Sequence, residues 1–158
     1  KQTAMDAKEY SKTPVIFRRN AANTIRPTWR TRKDPELELC SKKGGLIAVT
    51  AVPNALSNDP NQNINCVLDH YDYLVNLVGI DHVAIGTDTL VGDHVGYHIH
   101  MMGRSLVGDI AAPYLDGLES PADGTNIIRG LISRGYETSA IKKIAGHNAL
   151  AFFNRVFV

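Results

Sequence analysis

Apolar and polar positions follow two rhythms along this chain. Three short runs, Val15-Ile16-Phe17, Leu46-Ile47-Ala48-Val49-Thr50-Ala51 and His82-Val83-Ala84-Ile85-Gly86, have the length and apolar content of fully buried strands. Elsewhere the apolar residues recur every three or four positions, as on one face of a helix. Met5 to Ser11 reads as the end of a helix that Pro14 stops. After a polar stretch from Arg18 to Lys33, Asp34-Pro35 predicts a helix start, with Asp as N-cap and Pro in the first turn. That helix turns Leu37 and Cys40 inward and ends at Gly44-Gly45. A turn-rich loop from Pro53 to Asn63 precedes the clearest helix, Asn65 to Val78, with Val67, Tyr71, Leu74, Val75 and Val78 on one face. Thr89 to Gly124 is loose and glycine-rich, with a short helix expected near His98 to Ser105. Three helices close the chain: Thr125 to Arg134 with Ile127, Ile128, Leu131 and Ile132 inward, Thr138 to Ala145, and Asn148 to Val156 with Phe152, Phe153 and Val156 on one side.

Strand and helix alternate at intervals of roughly 30 residues, the signature of βαβ units and a parallel sheet. Right-handed crossovers then place the helices outside. Two architectures fit: an open doubly wound sheet and a (β/α)8 barrel. The first βα turn carries neither G-x-G-x-x-G nor a P-loop, which weakens a nucleotide-binding open sheet. A whole barrel takes about 250 residues. The chain has 158, and three strands match only the last three-eighths of one.

Composition narrows the function classes. Seventeen basic and 16 acidic residues give a net charge of +1, with no basic run, which argues against nucleic acid as partner. No apolar run approaches the roughly 20 residues of a membrane span, and the chain opens Lys-Gln-Thr-Ala-Met-Asp with no apolar signal segment in it, which slightly favours the cytoplasm. The first residues read as a cut inside a longer protein. Cys40 and Cys66 have no C-x-x-C spacing and read as small apolar residues. There is no N-x-[ST] sequon.

In either architecture chemistry lies beyond the carboxyl ends of the strands. That rule selects Arg18 and Arg19 after the first strand, Val52 to Asn54 after the second, and Thr87-Asp88 after the third. Asp88 is the strongest single candidate, since a carboxylate there can bind a metal, hold an ammonium or take up a proton; the plainer role is capping the turn after its strand. Asp93, His94 and His98 form a second candidate, with two imidazoles four apart at a metal-ligand spacing, although Gly96 between them weakens the helix this requires. The third is the basic set Arg18, Arg19, Arg26, Arg30, Arg32 and Lys33, from which one guanidinium can grip a substrate carboxylate with its fork. Most of this set reads as a solvated loop, with Trp29 packing it down. No G-x-S-x-G elbow is present.

Several segments together resemble the membrane (renal-type) dipeptidases, peptidase family M19. Thr3-Ala4-Met5-Asp6-Ala7 and Ser11-Lys12-Thr13-Pro14-Val15-Ile16-Phe17 resemble the helix entering the family's sixth barrel strand, and Gly44-Gly45-Leu46-Ile47-Ala48-Val49 its next strand. The most specific match is Val75 to Asp88, which is similar to the segment entering the last strand. Gly92-Asp93-His94-Val95-Gly96 is similar to a bacterial branch, and Gly130-Leu131, Arg134-Gly135-Tyr136 and Gly146-His147-Asn148-Ala149-Leu150 to the closing helices.

The resemblance implies an α/β fold, the C-terminal part of a (β/α)8 TIM-type barrel, with residues 1–158 a single partial domain. It implies two zinc ions in the intact family and hydrolysis of a dipeptide by zinc-held hydroxide. By position, Asp88 matches an aspartate that contacts the substrate amine and handles the proton, and Arg30 an arginine that holds the substrate carboxylate. The family's other metal ligands fall upstream of Lys1. The one ligand position the chain spans, a histidine in Phe-Ser-His, is Arg19 in Phe17-Arg18-Arg19-Asn20. Arginine stays protonated and offers zinc no lone pair. The Phe-Asp-Gly that often follows the late aspartate is replaced by Thr89-Leu90-Val91.

Two functions therefore stand. One is a zinc-dependent dipeptidase-like hydrolase whose partners are a dipeptide and the N-terminal half of the barrel. The other is a catalytically inactive barrel homologue or subunit that binds a small zwitterion or another chain. Asp93, His94 and His98 are the candidates for substitute metal ligands, and homo-oligomerisation stays open.

Overall fold

The computed structural model of the chain describes Asp6, residues 10–102 and residues 114–157. Three strands form one sheet in the order β1 (Ile16–Asn20), β2 (Leu46–Val49), β3 (Val83–Ile85). Both pairings are parallel, with Ile16 beside Leu46, Phe17 beside Ile47, and Ile47, Ala48 and Val49 beside Val83, Ala84 and Ile85. The parallel βαβ expectation is met. The helices are α1 (Asp34–Lys42), α2 (Pro53–Leu56), α3 (Ile64–Val78), α4 (His94–Met102), α5 (Thr125–Ser133), α6 (Thr138–Lys142) and α7 (Asn148–Val156).

Because side chains alternate along a strand, the sheet has two apolar faces. Phe17, Ile47, Val49 and Val83 face a core built with Leu37 and Cys40 of α1, Val67, Tyr71 and Leu74 of α3, and Ile127 and Leu131 of α5. On the other face Leu46, Ala48 and Ala84 pack against Phe152 of α7, with Ile16, Ala149 and Val156 beside them. Helices thus lie on both faces, not only outside. The inner face is too apolar to stand in water, and α7 covers it. Its anchors hold the strands' amino ends: Asn148 Nδ2 donates to Ile80 O at 2.7 Å and Val83 O at 2.8 Å, and Arg155 Nη2 donates to Gly44 O at 3.1 Å. The carboxyl ends stay clear.

Three helix details depart from the sequence expectation. Lys33, not Asp34, is the N-cap of α1, and Glu36 accepts from the Lys33 amide at 3.0 Å. Asp34 instead accepts from Tyr73 Oη at 2.7 Å and from Thr24 Oγ1 at 3.1 Å, tying α1 to α3 and the preceding loop. Ile132 and Phe153, expected inward, are exposed, because α5 and α7 each bury a narrow stripe around Ile127 and Leu131 or around Phe152. Helix α4 starts four residues earlier than predicted; beyond Met102 the expected end near Ser105 falls outside the described residues, as does most of the Met5 to Ser11 helix.

Candidate functional site

The strands end at a cleft of about 250 Å³. Its rim carries Arg18, Arg19, Trp29, Arg30, Arg32 and Asp88, and its floor Ala21, Thr50, Val52 and Ala55. Asp88, Arg30 and Arg19 therefore share one mouth, at the carboxyl end of the sheet. Each reaches it by a different device.

Arg19 sits where β1 loses register with β2, between Phe17 and Asn20. Its φ is 58°, a left-handed conformation that disfavours a residue with a Cβ by roughly 1–2 kcal/mol. Consecutive strand residues normally point to opposite faces, yet the bulge brings both Arg18 and Arg19 to the cleft. Asp88 is also left-handed, with φ 64°. The residue before it is held to the segment that follows β2, where Ala51 N donates to Thr87 O at 2.8 Å.

These two strained residues pair with each other. Arg19 Nη1 donates to Asp88 Oδ1 at 3.1 Å and Oδ2 at 3.2 Å, across the end of β2. The Arg19 side chain is 53% exposed and that of Asp88 29%, so the bridge lies at the lip and not in the core.

Arg30 and Trp29 sit at the tip of a loop that closes on itself. Asn23 N donates to Arg32 O at 2.8 Å and Arg32 N to Ala21 O at 3.0 Å. Inside, buried Thr31 donates from Oγ1 to Arg26 O at 2.8 Å and accepts from Asn23 Nδ2 at 2.7 Å. The guanidinium of Arg30 lies 4.6 Å from the Trp29 ring centre, and that of Arg32 lies 5.0 Å from the Phe17 ring while Nη1 reaches Glu36 at 3.4 Å. Trp29 is largely exposed, so it serves as a platform for Arg30 more than as packing.

Beneath the loop, fully buried His70 accepts from Ala22 N at 3.1 Å through Nδ1, and its Nε2 lies 3.1 Å from Leu56 O. One neutral ring, with the proton on Nε2, satisfies both contacts. Burial lowers its pKa, and the Leu56 carbonyl and the charge of Asp69 only partly offset this. His70 thus ties the base of the arginine loop to α2 and α3. The one sign of that role in the sequence is a histidine on the apolar side of a helix.

Asp93, of the second candidate group, does not line the cleft. Asp93 caps α4, accepting from Gly96 N at 2.9 Å, and Tyr114 Oη also donates to it. A Cβ on residue 96 would lie 2.1 Å from Asp93 Oδ2, so the glycine accommodates the capping carboxylate. The His94 and His98 side chains lie outside what is described. Among the described residues no three His, Cys, Asp or Glu side chains are grouped to hold a metal. Tested against a zinc pair, the donors around Asp88 do not fit: its partner at the mouth is Arg19, a permanent cation with no lone pair for a metal.

Comparison with known proteins places this geometry. Residues 1–96 match the family described as membrane dipeptidase, peptidase family M19. Dipeptidase ataJ of Aspergillus terreus is 30% identical over 98% of this chain and 33% of its own length. Dipeptidase 3 of Mus musculus is 28% identical over 94% of this chain and 26% of its own. The chain thus spans about a quarter to a third of these relatives. An amidohydrolase from Pseudomonas aeruginosa superposes with a TM-score of 0.82 at 22% identity, over 98% of this chain and 49% of the other. A metallo peptidase from Rhodobacter sphaeroides, solved with a phosphinate mimic of L-Ala-D-Ala, superposes with 0.77 at 18%, over 96% and 39%. The fold is that of part of a TIM-type barrel.

Proposed function

The chain belongs to the membrane dipeptidase family, peptidase family M19, and on that premise we propose that residues 1–158 form the C-terminal half of a dipeptidase-like hydrolase barrel and carry its substrate-orienting mouth. The observation that supports this most is the shared cleft of Asp88 and Arg30. A dipeptide zwitterion has a carboxylate at one end and an ammonium at the other. Arg30, steadied on Trp29, presents a fork suited to the carboxylate. Among the described residues Asp88 offers the only carboxylate on the cleft lining to the ammonium, and can take a proton from a nearby reacting group.

The family's chemistry depends on zinc, which when bound polarises a carbonyl and activates water. The described donors do not hold such a pair, so the role assigned to this chain is binding and orientation. In a barrel that hydrolyses dipeptides, Asp88→Ala should lower kcat/KM by on the order of 10²-fold, and Arg30→Ala should act mainly through KM. Unchanged steady-state kinetics of both variants would end the assignment.

The Arg19–Asp88 bridge favours a second reading. A guanidinium in the ligand position turns the mouth from a metal site into a binding site, as in an inactive homologue or subunit. Metal content and turnover of the purified protein separate the two. Stoichiometric zinc with dipeptide turnover supports the hydrolase; ligand binding with neither supports the binding module.

A further inference from the structure

We propose that the cleft is a metal-independent receptor for small organic dianions, short dicarboxylates gripped by arginine at both ends. The proposal rests on the second reading, that this mouth binds ligands, and adds the class of ligand.

Charge carries the argument first. Four arginines and one aspartate line the cleft. The aspartate is already engaged by Arg19, and Arg32 shares Glu36. Among the described residues Arg18 and Arg30 have no carboxylate partner. A cation entering the mouth must break the Arg19–Asp88 bridge and face the remaining guanidinium groups. An anion meets neither obstacle.

Geometry makes the recognition two-ended. Arg30 lies against the Trp29 ring, which orients its plane and leaves N–H edges for one carboxylate. The break in register of β1 and the left-handed backbone at Arg19 deliver two consecutive arginines to the same cleft, for the second carboxylate. An ordinary strand would have turned one of them away. Bulges commonly re-aim side chains beside binding sites. The floor is small and mostly apolar, Ala21, Val52 and Ala55, which suits the methylene spacer of a dicarboxylate. The volume, about 250 Å³, admits only a small molecule.

Trp29 is the chain's single tryptophan, so its fluorescence reports on this cleft alone. The 158-residue chain is titrated in EDTA and low salt with succinate, acetate, glycylglycine and inorganic phosphate. Succinate should give a saturable change with Kd at least tenfold below the other three. Arg30→Ala and Arg18→Ala should each weaken it tenfold or more, circular dichroism confirming that they fold. Should Arg18→Ala disturb the bulge, Arg30→Ala, on the exposed loop, carries the test. Asp88→Asn frees Arg19 and should tighten succinate, whereas a site that holds an ammonium on Asp88 would lose its ligand. Tighter glycylglycine would overturn the dianion proposal and leave the mouth a zwitterion site. Tighter phosphate would overturn the two-ended geometry, a succinate response only with zinc would overturn metal independence, and weaker succinate binding by Asp88→Asn would overturn the part given to Arg19. No Trp29 response to any of the four removes both the proposal and the binding reading beneath it.

Discussion

His70 has no exposed surface, and each of its ring nitrogens has one backbone partner. The folded protein holds the ring neutral, with its pKa lowered by burial, while the unfolded chain protonates near the ordinary 6.5. Its stabilising contribution is therefore whole above about pH 6.5 and is lost as pH falls toward the folded value. Urea midpoints should drop between pH 7 and pH 5, and His70→Gln should flatten that slope while lowering stability at neutral pH. An unchanged slope would show that other groups govern the acid limb. A second residue-scale prediction concerns Gly86, where a Cβ would sit 2.5 Å from Ala48 Cβ and 3.2 Å from Ala48 C. Gly86→Ala should destabilise by about 1–3 kcal/mol. Gly130→Ala, whose new methyl meets only the end of Leu68, should lose less, and thermal melts of the pair compare them directly. At this scale strand polarity made Asp88 readable in the sequence, because a carboxylate just beyond a buried apolar run stands at the mouth. The left-handed backbone of Arg19 and Asp88 was not readable, since neither is the glycine that signals positive φ.

Elements were legible where period and caps agreed. In α3, Val67, Tyr71 and Leu74 are buried as their spacing predicts, Val75 and Val78 of the same predicted face are half-buried against that core, and Asn63 Oδ1 accepts from Asn65 N at 2.9 Å as N-cap. Asn63→Ala should cost about 1 kcal/mol, measured by chemical unfolding. Its far partner is α5, joined through Arg134, which bridges Asp69 at 2.7 Å and also pairs with Asp72, while Tyr136 Oη donates to Asp72 at 2.7 Å. Burial first, and then that bond, push the Tyr136 pKa upward. Arg134→Ala strands two carboxylates beside each other and should destabilise by more than the roughly 0–1 kcal/mol typical of one surface pair, with Asp72→Asn in the same background recovering part of the loss. Helix α4 shows why element starts are hard to place. Its cap is Asp93, but the glycine at 96 reads as a helix breaker until the carboxylate folded over it is seen. The register break in β1 had no sequence signal, because Arg18-Arg19 looks like the first residues of a polar loop.

At the scale of the molecule, three buried runs at even spacing sufficed for a parallel sheet, since crossover helices and strand polarity follow from connectivity. What they omitted was α7 on the inner face, a matter of which apolar surface lacks cover. Among the described residues no helix is long and apolar enough to cross a membrane. Metal-stripped chain titrated with zinc should not bind two equivalents tightly; two that bind and are lost in a His94→Ala/His98→Ala double variant would establish a substitute centre on α4. The lip bridge also works as a gauge. Neighbouring strands are spaced about 4.8 Å apart, so Arg19 and Asp88, with β2 between them, stand roughly 10 Å apart at the backbone. Only a long side chain closes such a span onto a short one. An imidazole at position 19 would stop above β2 and leave the aspartate facing open space. The length of one side chain thus decides whether this doorway is latched from within or left ajar for something else to fill.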